Sequence, residues 1–364
     1  MVSLKKTETV SIAFLIFVCF IHNMFACTGI RLTADDGSVV TGRTVEFGTV
    51  IDMSVAVIPK NYSFTGQTPS GDGLVYTSKY SASGIYCFDY QVLMDGINEK
   101  GLVAAAFYFP GYAEYSNITK ENQSHALSPV EFPNWILTQF ATIDEVKAAL
   151  PSIVIAPTVV QGWGDAPPPL HYIVYDKEGN SLVIEPLNGK LVVYDNKIGA
   201  FTNSPTFDWH MTNLRNFVNL TVFNVNPINL RGVELAPLGQ GSGMVGLPGD
   251  FTPPSRFVRA AIFSSTATPS KNAGESVNQA FHILNQFDIP LGVVSEKQGS
   301  TVSVDYTMLT SVKDPQALTY YFKTYDDQTI RYVDLNQFDS NTKKIKSVGS
   351  AGKQTAVNIS STLH

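Results

Sequence analysis

The hydrophobic pattern begins with a mostly apolar run, residues 10–20, which follows two lysines near the start of the chain. A membrane-spanning helix needs about 20 apolar residues, so this run is too short to cross a bilayer. A basic start, a short apolar stretch and a small residue at Ala26 are typical of a secretory signal peptide. We therefore predict that residues 1–26 are removed by cleavage before Cys27, and that the mature protein is exported to the periplasm or the extracellular space.

Beyond this leader, segments that alternate between apolar and polar residues are separated by segments with helical periodicity. Strands are predicted at 27–33, 38–47, 101–109, 170–175, 181–185, 190–194, 302–312, 317–325 and 329–335. Helices are predicted at 132–140, 208–218, 255–263 and 274–287, and a capping box of Thr142 and Glu145 starts another. Two groups of antiparallel strands with helices between them indicate an α+β fold of stacked sheets flanked by helices. Residues 27–364 are enough for one large domain or two small ones, and we assign them to a single domain because no shift in composition marks a boundary.

The first two predicted strands form a hairpin around the turn residues Asp36 and Gly37. A turn centred there places Glu46 opposite Cys27 and brings a carboxylate back to the start of the first strand. Under strict alternation of side chains, Arg43 then points to the other face of the hairpin. Only a bulge or a shifted register brings both Arg43 and Glu46 beside the thiol, and we expect such a bulge.

Composition excludes several classes of protein. Charged residues make up 15% of the chain and the formal net charge is −6, with no basic run that would favour nucleic acid. No segment after the leader is long and apolar enough to span a membrane. The histidines lack the spacing of metal ligands, so we predict neither a metal nor a cofactor. His210 and His282 lie on helical patterns and are interpreted as structural.

Cysteine usage leaves alternatives open. Cleavage of the leader removes Cys19. The mature chain then has two cysteines, Cys27 and Cys87, which are too few for a disulfide scaffold. The two thiols either form one bridge or stay free, with Cys27 reactive and Cys87 buried, and the position of Cys27 favours the second. A lipoprotein cleavage would instead acylate Cys27, although the bulky Phe25 makes a poor lipobox.

Cys27 is the strongest candidate for chemistry. Cleavage after Ala26 gives one residue both a thiol nucleophile and a free α-amine, whose reference pKa of about 8 suits a proton shuttle. A thiol becomes a good nucleophile only when it is ionised, which requires a nearby base or positive charge. The sequence therefore predicts a nucleophilic catalyst at the start of the mature chain.

Five blocks, in order along the chain, carry a resemblance to a known family. They are Cys27-Thr28-Gly29, Gly42-Arg43-Thr44-Val45-Glu46, Asp95-Gly96-Ile97-Asn98-Glu99-Lys100-Gly101-Leu102, Thr202-Asn203-Ser204-Pro205-Thr206-Phe207-Asp208-Trp209, and Leu238-Gly239-Gln240-Gly241 through Leu247-Pro248-Gly249-Asp250-Phe251-Thr252-Pro253-Pro254-Ser255-Arg256-Phe257. The chain resembles, over essentially its whole mature length, the choloylglycine hydrolase family of conjugated bile salt hydrolases and penicillin V acylases. The resemblance implies a four-layer αββα Ntn-hydrolase sandwich, hydrolysis of a linear C–N amide bond without a metal, and a homotetramer.

The resemblance also implies roles for individual residues. Cys27 Sγ would attack the amide carbonyl, and Arg43 would supply the positive charge that favours the thiolate. The side-chain amide of Asn203 and the backbone N–H of Tyr108 would donate to the oxyanion. Arg256 would orient the site and its asparagine.

One position departs from the family pattern. Glu46 stands where the family commonly has an aspartate that is hydrogen-bonded to the terminal cysteine. Glutamate keeps the charge and adds a methylene, about 1.5 Å of reach. It either holds the α-amine through a shifted backbone or leaves the nucleophile less well oriented, and a displacement of about 1 Å can cost 100-fold in rate. The second outcome would describe a non-catalytic binding protein.

The choice of substrate stays open. Tyr108 stands where penicillin V acylases tend to carry tyrosine and bile salt hydrolases asparagine, which favours an aromatic acyl group, whereas the blocks around Asn203 and Arg256 are close to bile salt hydrolases. Loop residues expected to line the acyl pocket are Phe109, Tyr112 and Trp163. Such a pocket also suits an acyl-homoserine lactone acylase, and core packing is the other interpretation of Trp163. A lipid-anchored or non-catalytic binding protein of the envelope is the remaining alternative.

Overall fold

The computed structural model describes residues 26–48, 51–88, 90–299, 301–339 and 342–363, so the predicted leader up to residue 25 lies outside the described residues. In chain order, strands β1 to β20 span Cys27–Thr33, Val39–Phe47, Met53–Ile58, Ser63–Thr68, Gly71–Thr77, Ala82–Cys87, Asp95–Asn98, Val103–Tyr108, Ala126–Leu127, Val154–Ile155, Leu170–Tyr175, Ser181–Leu187, Lys190–Asp195, Ile228–Leu230, Val233–Leu235, Val294–Gln298, Thr301–Asp314, Thr319–Thr324, Arg331–Asp334 and Lys346–Gly349. Helices α1 to α5 span Phe132–Gln139, Ile143–Ala149, Phe207–Leu214, Pro253–Thr266 and Ala273–Leu284.

Two antiparallel sheets form the centre of the fold. The first sheet has the order β1-β2-β17-β18-β19, with β16 paired to β17, and the second has the order β13-β12-β11-β8-β7-β6-β3-β20. Helices α4 and α5 pack against β1, β2 and β17, while α1 packs against β7 and β8. The layers therefore run helix, sheet, sheet, helix, and the predicted α+β fold of stacked sheets is confirmed.

Local sequence explains how the main elements form. Strand β8 is buried at every position because both of its faces are covered, which suits its run of small and apolar residues. The predicted cap of α2 is present, since the side chain of Thr142 accepts a hydrogen bond from Glu145 N at 3.2 Å. Asn272 caps α5 in the same way, accepting from Glu275 N at 3.1 Å. These caps fix the start of each helix.

Candidate active site

Cys27 is the first residue of β1 and lies at the outer edge of the first sheet. Two residues later, Gly29 forms a bridge with Phe201, with hydrogen bonds of 2.7 and 3.0 Å, which ties this edge to the segment that carries Asn203. A side chain at Gly29 would bring its Cβ to 3.1 Å from the Phe107 ring, so glycine suits this close approach. The thiol is consequently enclosed, and Cys27 is 4% exposed.

The register of the β1–β2 hairpin differs from the prediction by one residue. Cys27 pairs with Val45, and the pairing runs without a bulge to the end of β1. Because every second residue shares a face, Arg43 lies on the same face as Cys27, toward the second sheet, and Glu46 lies on the other. The predicted pairing of Cys27 with Glu46 was wrong, and so was the predicted bulge, because the shifted register alone brings Arg43 to the thiol. The irregularity lies instead on β17, opposite Val45 and Glu46.

The turn explains this shift. Ala34 N donates to Ser38 O at 2.9 Å, so the loop contains three residues rather than the two that an Asp-Gly turn would give. Gly37 has a φ of 82°, the left-handed conformation that closes three-residue hairpin loops. One more residue in the loop moves every pair across the hairpin by one position.

Arg43 places a positive charge against the thiol. Its Nη2 donates to Cys27 Sγ at 2.9 Å, and its Nη1 donates to the carbonyl of Ala106 on β8 at 2.6 Å. The guanidinium also lies over the Phe107 ring, 3.9 Å from its centroid. Burial raises the pKa of the Cys27 thiol because desolvation disfavours the thiolate, and the charge of Arg43 opposes that effect.

Asn203 and Arg256 hold the main chain of Cys27. Asn203 Oδ1 accepts from Cys27 N at 2.8 Å and from Arg256 Nη2 at 2.7 Å. Arg256 Nη1 donates to the Cys27 carbonyl and, at 2.9 Å, to Thr28 Oγ1. Arg256 lies in the first turn of α4 and is fully buried. The amide and carbonyl of Cys27 are therefore both fixed by side chains from distant parts of the chain.

Tyr108 and Asn203 bring two donors to one side of β8. Asn203 Nδ2 donates to the Tyr108 carbonyl at 2.8 Å, which leaves the second hydrogen of this amide for another acceptor. Phe109 N donates to Pro169 O at 2.8 Å, across to β11. In an antiparallel ladder neighbouring residues point to opposite sides, so the N–H of Tyr108 points away from β11, toward Asn203. The two groups implied as oxyanion donors thus lie side by side.

Glu46 bonds the main chain at the start of β1 and also lies close enough to the Cys27 thiol to raise its pKa electrostatically. Its N–H donates to the carbonyl of Ala26 at 3.0 Å, and its Oε1 accepts from Thr307 Oγ1 at 2.9 Å. Burial raises the pKa of Glu46 to about 8, while the charge of Arg256 lowers it. The carboxylate that stands in place of the family's usual aspartate is therefore bonded to Thr307 on β17.

His210, which its helical pattern suggested to be structural, contacts the site asparagine with its ring. His210 Nε2 lies 2.8 Å from the backbone oxygen of Asn203, and its ring stacks on Phe257 with 4.7 Å between centroids. A carbonyl only accepts, so Nε2 carries the hydrogen. Burial lowers the pKa of His210 to about 4, which keeps the ring neutral. His210 stands seven residues after Asn203, in the first turn of α3, and this short separation is the sequence signal that could have linked the two.

A second histidine, His171, was not singled out from the sequence. Its Nε2 lies 3.0 Å from the carbonyl of Thr202, and its Nδ1 lies 3.2 Å from Glu185 Oε1. The ring is buried between Phe109 and Phe201, with centroids 4.1 and 4.3 Å away. His171 and His210 therefore contact the backbone carbonyls of two consecutive residues, Thr202 and Asn203.

The structure also bears on the predicted alternatives for Cys87 and on the three residues expected to line the acyl pocket. Cys27 and Cys87 are both free and buried, so the structure does not contain the alternative disulfide. Phe109 is fully buried against His171 and belongs to the core, not to a pocket lining as expected. Tyr112 is exposed, and Trp163 packs edge-on against Phe47 with 5.5 Å between ring centroids.

Within the described parts of the chain, no helix has both the length and the apolar character that a membrane crossing requires. The same residues contain no group of three or more histidine, cysteine, aspartate or glutamate side chains placed to hold a metal ion.

Comparison with known proteins decides the family. Residues 27–348 match the linear amide C–N hydrolases of the choloylglycine hydrolase family, and the match begins at Cys27. The chain belongs to the choloylglycine hydrolase family. It is 35% identical over 327 residues to the bile salt hydrolase/transferase of Clostridium perfringens, covering 88% of this chain and 95% of that protein. It is 26% identical over 319 residues to the penicillin V acylase of Pectobacterium atrosepticum, covering 82% and 78%.

A solved structure confirms the fold that this membership implies. A mutant of the conjugated bile acid hydrolase from Clostridium perfringens superposes with a TM-score of 0.81 at 34% identity, covering 92% of this chain and 99% of that one. The predicted αββα Ntn-hydrolase fold is therefore confirmed. As a choloylglycine hydrolase family member, the protein is an amidohydrolase of linear C–N bonds.

Proposed function

We propose that this choloylglycine hydrolase family member uses Cys27 as its nucleophile and acts on penicillin V-like amides or on glycine and taurine conjugates of bile acids. The observation that carries the proposal is the arrangement around Cys27, with Arg43 at the thiol, Asn203 at the nitrogen and Arg256 at the carbonyl. Together they supply a charge for the thiolate, a fixed orientation and a donor for an oxyanion, which acyl transfer to a thiol requires.

In the proposed reaction, the bond between Ala26 and Cys27 has been cut and the Cys27 nitrogen is an α-amine. This amine takes the thiol proton while Sγ bonds to the amide carbonyl carbon, and Asn203 Nδ2 and the Tyr108 N–H donate to the oxyanion. The amine then gives its proton to the leaving nitrogen, the C–N bond breaks and a thioester remains. Water, deprotonated by the same amine, attacks the thioester, which releases the acid and restores the thiol.

Two features bear on the acyl group. Identity of 35% to a bile salt hydrolase/transferase supports a conjugated bile acid, since that protein is named for this substrate. The side chain of Tyr108 supports an aromatic acyl group, because the family resemblance places tyrosine there in penicillin V acylases. Burial raises the pKa of Tyr108 to about 12, so its ring presents a neutral wall to either group.

A hydrolysis panel tests the proposal and separates the substrates. It contains penicillin V, glycine- and taurine-conjugated bile salts and acyl-homoserine lactones, with products identified by mass spectrometry. We expect Cys27→Ala and Cys27→Ser to lose hydrolysis and the wild type to show an acyl adduct on Cys27. Cys87→Ala removes the other buried free thiol and should keep activity. Full hydrolysis by both Cys27 variants would show that the proposal is wrong.

The proposal includes export with cleavage before Cys27, because only that cleavage creates the α-amine. The expected product is a mature chain with an unmodified Cys27 at its start, found in the periplasm or the medium. Mass spectrometry of the mature terminus tests this. A diacylglyceryl adduct on Cys27 would support the lipid-anchored alternative, and a retained leader would rule out an α-amine base.

The proposed assembly is a homotetramer, and an exposed apolar arm supports it. Residues 218–247 carry the hairpin of β14 and β15 and expose many large apolar side chains, among them Val218, Phe223, Ile228, Leu230, Val233, Leu238 and Val245. Contiguous apolar surface of this kind marks association sites. We expect Phe223→Ser combined with Leu238→Ser to reduce the mass measured by light scattering, while Val75→Ser, an exposed valine elsewhere, keeps it. A monomeric wild type would contradict the proposal.

A further inference from the structure

A second group of charges is buried between the two sheets. Lys313 on β17 donates from Nζ to both carboxylate oxygens of Asp95 on β7, at 2.5 and 2.7 Å, and to Ser311 Oγ at 2.8 Å. Tyr320 on β18 donates to Asp95 Oδ2 at 2.7 Å. Asp95 and Tyr320 are fully buried and Lys313 is 2% exposed, so every donor of this ammonium is used inside the protein.

This group adjoins the arginine that holds the thiol. Ser311 is the direct cross-strand partner of Arg43, and its hydroxyl donates to Asp95 Oδ2 at 2.8 Å. Arg43 and Asp95 interact electrostatically, since each stabilises the charged form of the other. A continuous polar seam therefore runs between the sheets from Cys27 through Arg43 to Asp95 and Lys313.

Among Cys27, Arg43, Asp95 and Lys313, the charges balance only when the thiol is ionised, and the buried Arg256 beside Cys27 adds a positive charge that acts in the same direction. With a neutral thiol, Arg43 and Lys313 contribute two positive charges against the single negative charge of Asp95. Ionisation of Cys27 makes the group neutral. In a buried site an uncompensated charge is costly and weakly screened, so this count favours the thiolate.

We propose that Asp95 and Lys313 are positioning residues for the nucleophile: Lys313 neutralises Asp95, so that Arg43 directs its charge at Cys27 Sγ instead of pairing with Asp95. The inference rests on the proposed role of Cys27 and adds two residues that touch neither thiol nor substrate. Without Lys313, the unpaired carboxylate faces Arg43 and cancels its charge. Without both Lys313 and Asp95, the charge of Arg43 is free again.

Other groups also face this seam. Glu46 and Arg256 face Cys27, the first raising and the second lowering the pKa of its thiol. Cys87, Tyr175 and Tyr320 face Arg43 and Asp95, and burial raises the pKa of each, that of Cys87 to about 12, so all three stay neutral. His171 faces Arg43, and burial lowers its pKa. None of these groups is altered in the variants below.

The test measures the rate at which iodoacetamide alkylates Cys27 as a function of pH, with the adduct quantified by peptide mass. We expect Lys313→Met to slow alkylation at pH 7 about tenfold and to move the rate–pH curve to higher pH. The double variant Asp95→Asn with Lys313→Met should return to within about twofold of wild type, because it removes one charge of each sign. Lys147→Met, which breaks the exposed ion pair to Asp195 at 2.6 Å, should behave as wild type.

A purely structural role predicts a different pattern. Either the double variant is alkylated as slowly as Lys313→Met, or Lys313→Met and the double variant are both alkylated at the wild-type rate. Each of these results would overturn the inference. If Lys313→Met does not fold, the alkylation rate of the double variant is compared with that of Lys147→Met. Loss of Cys27 reactivity in the double variant would show that Asp95 and Lys313 act structurally. Alkylation needs no substrate. Absence of hydrolysis by the wild type together with the expected alkylation pattern would therefore contradict the proposed substrates alone.

Discussion

Arg43 Nη2 lies 2.9 Å from the Sγ of Cys27, and the two residues are only 5% and 4% exposed. Burial raises the pKa of this thiol, so water does little to help its ionisation. The same burial leaves the charge of Arg43 weakly screened. Formation of the thiolate in this site is therefore favoured most by the guanidinium of Arg43, which is itself held by the second sheet, and to a smaller extent by that of Arg256.

Replacement of Arg43 by lysine should separate charge from geometry. Lysine keeps the charge, but one ammonium cannot replace the planar fork that bonds Cys27 Sγ and the Ala106 carbonyl together. We expect Arg43→Lys to lower kcat/KM about 100-fold and to slow alkylation of Cys27 by iodoacetamide. Both are measured at pH 7 against wild type.

Arg31→Lys is the matched control for that substitution. Arg31 lies on β1, and its guanidinium contacts the carbonyls of Gly179 and Lys197 rather than the thiol. This variant should stay within about twofold of wild type in both measurements. Equal effects of the two substitutions would show that Arg43 has no special action on Cys27.

Asn203→Ala should lower kcat by about 100- to 1,000-fold, the usual cost of one oxyanion donor. It removes the acceptor of Cys27 N and the donor to Tyr108 together. Asn196→Ala is a suitable control, because Asn196 is equally buried and bonds the main chain at Ala200 and Gly199, outside the catalytic residues. Steady-state kinetics and urea unfolding should show that both variants lose stability while only Asn203→Ala loses turnover. A full kcat in Asn203→Ala would remove this residue from the mechanism.

Local signals made the larger elements predictable from the sequence. The cap formed by Thr142 and Glu145 starts α2 as predicted, and the predicted strand 170–175 matches β11 at both ends. The region between β2 and β7 was left unassigned, because glycines such as Gly66, Gly73 and Gly84 interrupt the alternation of apolar and polar residues in three of its strands. Patterns of period two need several consecutive residues before they can be recognised.

The site itself was harder to predict. Its hairpin register depends on whether the loop has two or three residues. The left-handed conformation of Gly37 closes the three-residue loop, and the identity of that residue as glycine does not by itself reveal this conformation. The contact of Arg256 with Cys27 joins residues 229 positions apart, and family resemblance implied only that Arg256 orients the site and its asparagine, since no periodicity reaches that far. His171 and His210 both contact backbone carbonyls, which every residue carries, and the side-chain partner of His171, Glu185, lies on the next strand, so neither contact could be recognised from the sequence.

His210→Ala should lower kcat about tenfold with little change in KM, because the backbone of Asn203 loses its donor while the substrate pocket is unchanged. His210→Gln, whose amide can donate in place of Nε2, should restore most of the rate. His282→Gln, on an exposed position of α5, is the control and should match wild type. A raised KM with an unchanged kcat would indicate that His210 shapes the pocket instead.

The same histidine predicts a dependence of stability on pH. Burial lowers the pKa of His210 from 6.5 to about 4, so between these values the unfolded chain binds a proton that the folded chain does not. Stability should therefore fall as pH falls from 6.5 to 4, by about 3 kcal/mol from this residue. Urea unfolding should show that loss in wild type and a smaller loss in His210→Gln. Equal losses in the two proteins would show that the folded ring takes up the proton freely.

Glu46 predicts the opposite slope. Burial raises its pKa from 4.5 to about 8, so in this range the folded chain holds a proton that the unfolded chain has released. Stability should fall as pH rises from 4.5 to 8, by about 4 kcal/mol from this group. Glu46→Gln, which mimics the protonated form, should remove most of that slope in urea unfolding of the full chain. Asp305 has a pKa raised by burial to about 7 and adds a slope of the same sign, but both proteins contain it, so it cancels in the comparison. Parallel curves for wild type and Glu46→Gln would mean that Glu46 is ionised throughout, in which case a buried carboxylate faces the start of β1 at neutral pH.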